Sequence, residues 1–101
     1  KAYYNLGNIF LNEGKPNMAV EEFKKVVKLK PEYAYGHYNL GCAYMKLGKY
    51  SKAKYEFLVA TDYKNNVADF HYNLAYVYKK LNKEKQAKTY LEYYNKIINN
   101  Q

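Results

Sequence analysis

Histidine, cysteine and carboxylate side chains are the groups in this sequence that could bind a metal ion or take part in catalysis. His37 and His71 are thirty-four residues apart, and neither is followed by further ligands at a spacing typical of a metal site. We therefore interpret both as histidines packed against the inner side of a helix. The sequence predicts no metal ion and no cofactor.

Cys42 is the only cysteine, which excludes an internal disulfide and a multi-thiolate metal site within one chain. No histidine and carboxylate accompany it, so a nucleophilic role has little support. Carboxylates such as Glu21, Glu22 and Glu56 stand beside lysines, as is typical of solvated helix faces. The sequence also contains no glycine-rich phosphate loop. It therefore predicts a protein that is not an enzyme.

The composition is that of a soluble globular chain, with 49% hydrophobic and 26% charged residues. Its 101 residues suffice for a single domain with one modest core. No apolar run approaches the length that spans a bilayer. Because the sequence starts at Lys1 without a methionine or a targeting signal, we expect a fragment of a larger protein. The single cysteine favours a reducing, cytoplasm-like compartment.

The net charge is +8, and every basic residue is a lysine. Bidentate recognition of guanine or phosphate favours arginine, so this composition argues against a sequence-specific nucleic-acid reader. A genome-wide preference for lysine, asparagine, tyrosine and isoleucine would explain the charge without any ligand. A basic, tyrosine-rich surface that holds single-stranded nucleic acid by stacking and charge is an alternative.

The sequence repeats itself with a period of thirty-four residues. The tripeptide Tyr-Asn-Leu occurs at 4–6, 38–40 and 72–74, and such periods are the signature of repeat architectures. The predicted units are residues 1–33, 34–67 and 68–101.

Each unit has the apolar spacing of two helices. Tyr3, Leu6, Gly7 and Phe10 follow the i, i+3, i+4, i+7 pattern of one helix face, and the break at 14–16 contains a glycine and a proline. The same break returns at 47–49 and, with Asn82 in place of glycine, at 81–83. The predicted helices are 2–13, 17–29, 34–47, 51–63, 68–81 and 84–98.

Small residues on both helices of each unit should let the two backbones approach. These are Gly7, Gly41 and Ala75 on the first helices, and Ala19, Ala53 and Ala87 on the second. Phe23, Phe57 and Leu91 are expected to fill the space alongside. One hairpin cannot bury these faces alone, so we expect the units to stack.

These features together resemble the tetratricopeptide repeat family over the whole chain. The resemblance rests on the period, the Leu-Gly of each first helix, the aromatic after it, the alanine and phenylalanine of each second helix, and Pro31. It implies an all-α fold, a right-handed superhelical solenoid of three helix-turn-helix repeats. The chain departs from the family at His37 and His71, which replace an aromatic, and at Leu91 and Tyr94.

The resemblance also implies a concave groove lined by the first helices and a convex back formed by the second helices. The groove would bind an extended peptide or partner segment, so the chain is expected to be a protein–protein interaction scaffold. Its candidate lining residues lie on the first helices and point away from the hairpin core: Tyr4, Asn5, Asn8, Asn12, Tyr35, Tyr38, Asn39, Cys42, Lys46, Asp69, Tyr72, Asn73, Tyr76 and Lys80.

Recurring side chains suggest how such a groove would recognise a ligand. Asparagines at 5, 39 and 73 can donate to and accept from a peptide main chain, and tyrosines at 4, 38 and 72 offer flat apolar area. Lys46, Lys79 and Lys80 would favour acidic segments. The same asparagines and tyrosines are also common in the family's generic repeat, so architecture alone would account for them.

Chaperone-binding members of the family carry a clamp of two asparagines and three basic residues. The asparagines match Asn8 and Asn39, but Tyr4, Asp69 and Asn73 stand at the basic positions. The sequence therefore argues against recognition of chaperone tails.

The last helix predicts a second surface. Tyr90, Tyr94, Ile97 and Ile98 have no following repeat in the sequence to cover them, and terminal repeats normally need a polar outer face. We expect a C-terminal contact face that is covered by a downstream segment or by a second copy of the chain. Self-association as a structural, homo-oligomeric unit is therefore the alternative function.

Overall fold

The computed structural model describes residues 2–101 as six α-helices, with no strand in that range. The helices are α1 (Ala2–Asn12), α2 (Pro16–Leu29), α3 (Ala34–Lys46), α4 (Tyr50–Tyr63), α5 (Ala68–Lys80) and α6 (Glu84–Asn99). All six predicted helices are confirmed, and each boundary differs from the prediction by at most one residue.

The turn inside each helix pair depends on one residue with a left-handed backbone. Gly14 and Gly48 have φ angles of 75° and 73°, and Asn82 has a φ of 61°. Asparagine is among the few side chains that tolerate this conformation, because its short amide can bond locally. The prediction that Asn82 replaces glycine at the third turn is confirmed.

The two helices of a pair approach closely where glycine faces phenylalanine. A Cβ atom on Gly7 would lie 2.5 Å from Phe23 Cε1, and one on Gly41 would lie 2.7 Å from Phe57 Cε1. Both phenylalanines are fully buried. The absence of a side chain on the first helix therefore makes room for the ring on the second, as predicted.

The pairs stack in chain order, because α2 packs against α3 and α4 packs against α5. One apolar core extends through all three pairs, from Ala19 and Phe23 through Leu40 and Phe57 to Val77. A smaller cluster joins Ala34, Ala60 and Phe70. The result is an all-α solenoid in which the first helices α1, α3 and α5 follow one another.

One core prediction is wrong. Leu91 was expected to fill its pair as Phe23 and Phe57 do, but 42% of it is exposed, whereas both phenylalanines are inaccessible. The phenylalanines belong to pairs that another pair covers, while no helix pair follows α6 within residues 2–101. None of the six helices is both long and apolar enough to cross a membrane.

Candidate functional site

Side chains of successive first helices bond to each other directly. Asn39 Nδ2 on α3 donates to Asn8 Oδ1 on α1 over 2.8 Å, and Asn73 Nδ2 on α5 donates to the Tyr38 hydroxyl over 2.7 Å. Helices α1, α3 and α5 therefore lie side by side. We call the fourteen predicted groove residues on these helices the first-helix surface.

The first-helix surface divides into exposed and half-buried members, and none of the fourteen is fully buried. The exposed members can meet a ligand without rearrangement, whereas each half-buried member already packs against its neighbours. The exposed residues are Asn5, Asn12, Lys46, Asp69, Tyr72, Tyr76 and Lys80. The half-buried residues are Tyr4, Asn8, Tyr35, Tyr38, Asn39, Cys42 and Asn73.

Tyr38 differs from the free aromatic surface that the sequence suggested. Its ring lies 5.6 Å from the ring of Phe57 and stacks on Phe70 at 4.7 Å. Burial raises the pKa of its hydroxyl well above the usual value of 10.0. Its ring therefore joins α3 to α4 and α5, while Tyr72, one period later, is 50% exposed.

Cys42 is half-buried next to this tyrosine. Burial is the main cause that raises the pKa of the Cys42 thiol to about 11, although Tyr38 and Lys46 act in the opposite direction. The thiol is thus protonated near neutral pH and lacks the thiolate that a nucleophile needs.

Positive charge collects where α3 and α5 end. Lys46 and Lys80 occupy equivalent positions one period apart, each in the last turn of its helix, and Lys79 lies beside Lys80. Lys80 Nζ also lies 5.5 Å from the centre of the Tyr76 ring. Asn12 holds the same position on α1, so the basic side of the surface belongs to the second and third pairs.

Both histidines hold the loop that precedes their helix, a role that the sequence analysis missed. His37 Nε2 donates to the Pro31 carbonyl at 2.7 Å, and His71 Nε2 donates to the Asn65 carbonyl at 2.8 Å. The common separation of six residues was the available signal. The His37 Nδ1 atom also lies 2.9 Å from Glu56 Oε1. Across residues 2–101, no three His, Cys, Asp or Glu side chains cluster as metal ligands would.

The predicted C-terminal contact face is only partly open. Tyr90 does not belong to it, because its ring stacks on His71 at 6.0 Å and on Tyr78 at 5.5 Å within its own helix pair. Tyr94 packs against Tyr72, with ring centres 5.1 Å apart. Ile97 is half-buried and Ile98 is exposed.

A cavity of about 580 Å³ lies beside this face, between α5 and α6. Its lining includes Tyr72, Ala75, Tyr76 and Leu91. Two residues of the first-helix surface, the tyrosines, thus also border the open end of the stack.

Comparison with known families decides what kind of chain this is. A family model described as a TPR repeat matches residues 7–48 and again 41–82, and a second, described as a tetratricopeptide repeat, matches 68–99. The chain belongs to the tetratricopeptide repeat family. Tetratricopeptide repeat proteins are generally scaffolds without catalytic activity. No curated protein matches the sequence.

Solved structures of tetratricopeptide repeat proteins have the same fold. MamA from Desulfovibrio magneticus RS-1 superimposes with a TM-score of 0.95 at 22% identity, over 99% of this chain and 56% of that one. Another MamA crystal structure gives 0.92 at 28% identity, over 94% and 56%. The chain thus spans little more than half the length of these MamA structures.

A further similar structure carries a ligand. It is the second TPR of Spaghetti (RPAP3), bound to the HSP90 peptide SRMEEVD. It superimposes with a TM-score of 0.93 at 23% identity, over 95% of this chain and 89% of that one. At this identity the likeness shows a common fold.

Proposed function

We propose that this tetratricopeptide repeat chain is a protein-interaction scaffold that binds an extended, acidic segment of a partner protein across the first-helix surface. The observation that carries the proposal is the pair of hydrogen bonds that join the first helices, Asn39 to Asn8 and Asn73 to Tyr38. They hold three helices side by side, so a ligand that crosses them meets one rigid surface. Preorganisation of this kind lowers the entropy cost of binding.

The exposed members of the surface suit a peptide main chain. Asn5 and Asn12 each offer an amide that can both donate and accept. Tyr72 and Tyr76 add apolar area with a polar tip, which is the composition of many interface anchors. The proposal assigns no residue to a catalytic step.

The acidic character of the ligand follows from charge. Lys46 and Lys80 are exposed at equivalent positions on neighbouring first helices, and the chain carries a net charge of +8. A carboxylate between them would gain from both cations. The three basic positions of the chaperone clamp hold other residues, so we place the acidic contacts at these helix ends and not at the clamp.

Fluorescence anisotropy with short fluorescein-labelled peptides rich in Asp and Glu tests the proposal. We expect binding that weakens as salt rises and is lost in the double variant Lys46→Glu, Lys80→Glu. Asn39→Ala and Tyr72→Ala should each weaken binding by about 1 to 2 kcal/mol. Lys85→Glu on α6 changes charge by the same amount per site and serves as the control.

Two results would contradict the proposal. One is equal affinity of the wild type and the double lysine variant for every acidic peptide. The other is a single-stranded oligonucleotide that binds more tightly than all the peptides and with a steeper salt dependence, which would favour stacking of bases on tyrosine instead.

A further inference from the structure

The tyrosine at the same position of each first helix is covered by an aromatic ring from a different source. Tyr33, in the loop before α3, lies edge-on to Tyr4 at 5.5 Å. Phe70 of the next first helix stacks on Tyr38 at 4.7 Å. Tyr72 has its cover from Tyr94 of its own pair, at 5.1 Å. The three positions are thus equivalent in sequence but not in packing.

The two junctions between pairs match a larger side chain to a smaller one, and they exchange sides. At the first junction Val26 on α2 faces Gly36 on α3, where any Cβ would lie 2.9 Å from Val26 Cγ1. At the second junction Ala60 on α4 faces Phe70 on α5, and both are fully buried in one cluster. Either arrangement fills the junction, because the combined volume is what must be kept.

The two ends of the chain carry the halves of a third such match. Tyr94 on α6 stands one period after Val26 and Ala60, so the last pair presents a large residue. A first helix that docks there must carry a small residue at the position of Gly36 and Phe70. In α1 that residue is Ala2, which is exposed.

We propose that a second copy of this chain is the occupant of the α5–α6 end, stacked head to tail through its α1. The contact continues the junctions already present inside the chain. It goes beyond the proposed groove, because it uses the ends of the stack and a different partner.

The outer face of α1 supports this occupant. Leu6 is 39% exposed, whereas Leu40 and Leu74 at the same position are buried under the preceding pair. Ile9 is 51% exposed, whereas Ala43 and Val77 are inaccessible. Burial of such side chains is the main source of association energy.

A lysine on α6 fits the same arrangement. At the second internal junction Lys54 Nζ lies 6.0 Å from the centre of the Tyr78 ring. One period later the equivalent lysine is Lys88, which lines the cavity between α5 and α6. The aromatic at the position of Tyr78 on α1 is Phe10, so the stacked copy would bring a ring to this lysine.

Paired variants of the 101-residue chain test head-to-tail stacking by sedimentation velocity. We expect the wild type to grow in mass with concentration, since a heterologous contact leaves both ends open. Ile9→Lys spoils only the α1 end and Tyr94→Lys only the α6 end, so each alone should be monomeric. An equimolar mixture should stop at one heterodimer. Tyr55→Lys, on the exposed side of α4, is the control and should associate like the wild type.

A second set of variants tests the size match itself. Ala2→Phe would set two large residues against each other and should weaken association about tenfold or more. The double variant Ala2→Phe, Tyr94→Ala recreates the Ala60–Phe70 pairing between copies and should recover it. Circular dichroism must show wild-type helicity for every variant that is compared.

Three outcomes would overturn the inference. The wild type could stay monomeric up to about 1 mM, which is the weak limit of useful association. The Ile9→Lys or the Tyr94→Lys variant could dimerise by itself, which would show a symmetric contact between like ends. The double size variant could associate no better than Ala2→Phe, which would mean that Ala2 and Tyr94 do not meet.

Discussion

Asn39 on α3 donates its side-chain amide to Asn8 Oδ1 on α1 across the first junction, over 2.8 Å. One period later the acceptor's place is taken by Cys42, and Asn73 bonds to the Tyr38 hydroxyl at 2.7 Å instead. The two junctions thus keep the donor and change the acceptor, so the repeated asparagine has a structural role at both.

The Asn8–Asn39 bond should appear as a coupling in a double-mutant cycle. We expect Asn8→Ala and Asn39→Ala each to lower the free energy of unfolding by about 0.5 to 1.5 kcal/mol, because each leaves a half-buried partner without its bond. The double variant should cost less than the sum of the two. Urea denaturation measures all three, and strictly additive losses would show that the amides do not interact.

Gly41→Ala should destabilise the second pair. The new Cβ would lie 2.7 Å from Phe57 Cε1, and overpacking of this kind costs about 1 to 3 kcal/mol. The third pair holds alanine and leucine at these positions, Ala75 and Leu91. The double variant Gly41→Ala, Phe57→Leu should therefore be more stable than the sum of its single changes predicts. Thermal unfolding of the four proteins gives the coupling, and a double variant at or below that sum would contradict the steric explanation.

Asn82 should resist replacement by alanine more than by glycine. Its φ of 61° lies in the left-handed region, which costs roughly 1 to 2 kcal/mol for a residue without a local bond. Asn82→Ala should lower the free energy of unfolding by about 1 kcal/mol, whereas Asn82→Gly, which copies Gly48, should stay near the wild type. Equal stability of the two variants in urea would argue against the left-handed turn.

Stability should fall in alkaline solution because of Tyr38 and Cys42. Burial raises the pKa of the Cys42 thiol from 9.0 to about 11 and that of Tyr38 above 10.0. The unfolded chain therefore releases these protons first, so the contribution is complete below pH 9.0 and is lost as the pH rises towards 11. Cys42→Ala should flatten the loss, as measured by urea unfolding at a series of pH values. An unchanged pH profile would place the titration elsewhere.

The local features of the fold could be predicted from the sequence because neighbouring residues determine them. Gly14, Gly48 and Asn82 end the first helices through their own backbone freedom, and Gly7 and Gly41 make room for rings sixteen residues further on. These signals recur at one period, so each repeat supports the others. The helix boundaries followed directly.

The state of individual surface residues could not be predicted in the same way. Tyr38 looks identical to Tyr72 in the aligned repeats, yet Phe70 covers the first and not the second. Leu91 aligns with buried phenylalanines but lies in the pair that no other pair covers. What these side chains contact depends on one variable residue in the next pair, which the repeat pattern averages away.

The exchange of sizes between junctions also fixes the order of the repeats. A duplicate of the second pair inserted after itself would place Ala60 against Gly36 and leave a void. A duplicate of the third pair would force Tyr94 against Phe70. Unlike a consensus array, whose modules can be shuffled or multiplied, this chain could grow by gene duplication only if a compensating change at the new boundary came with it.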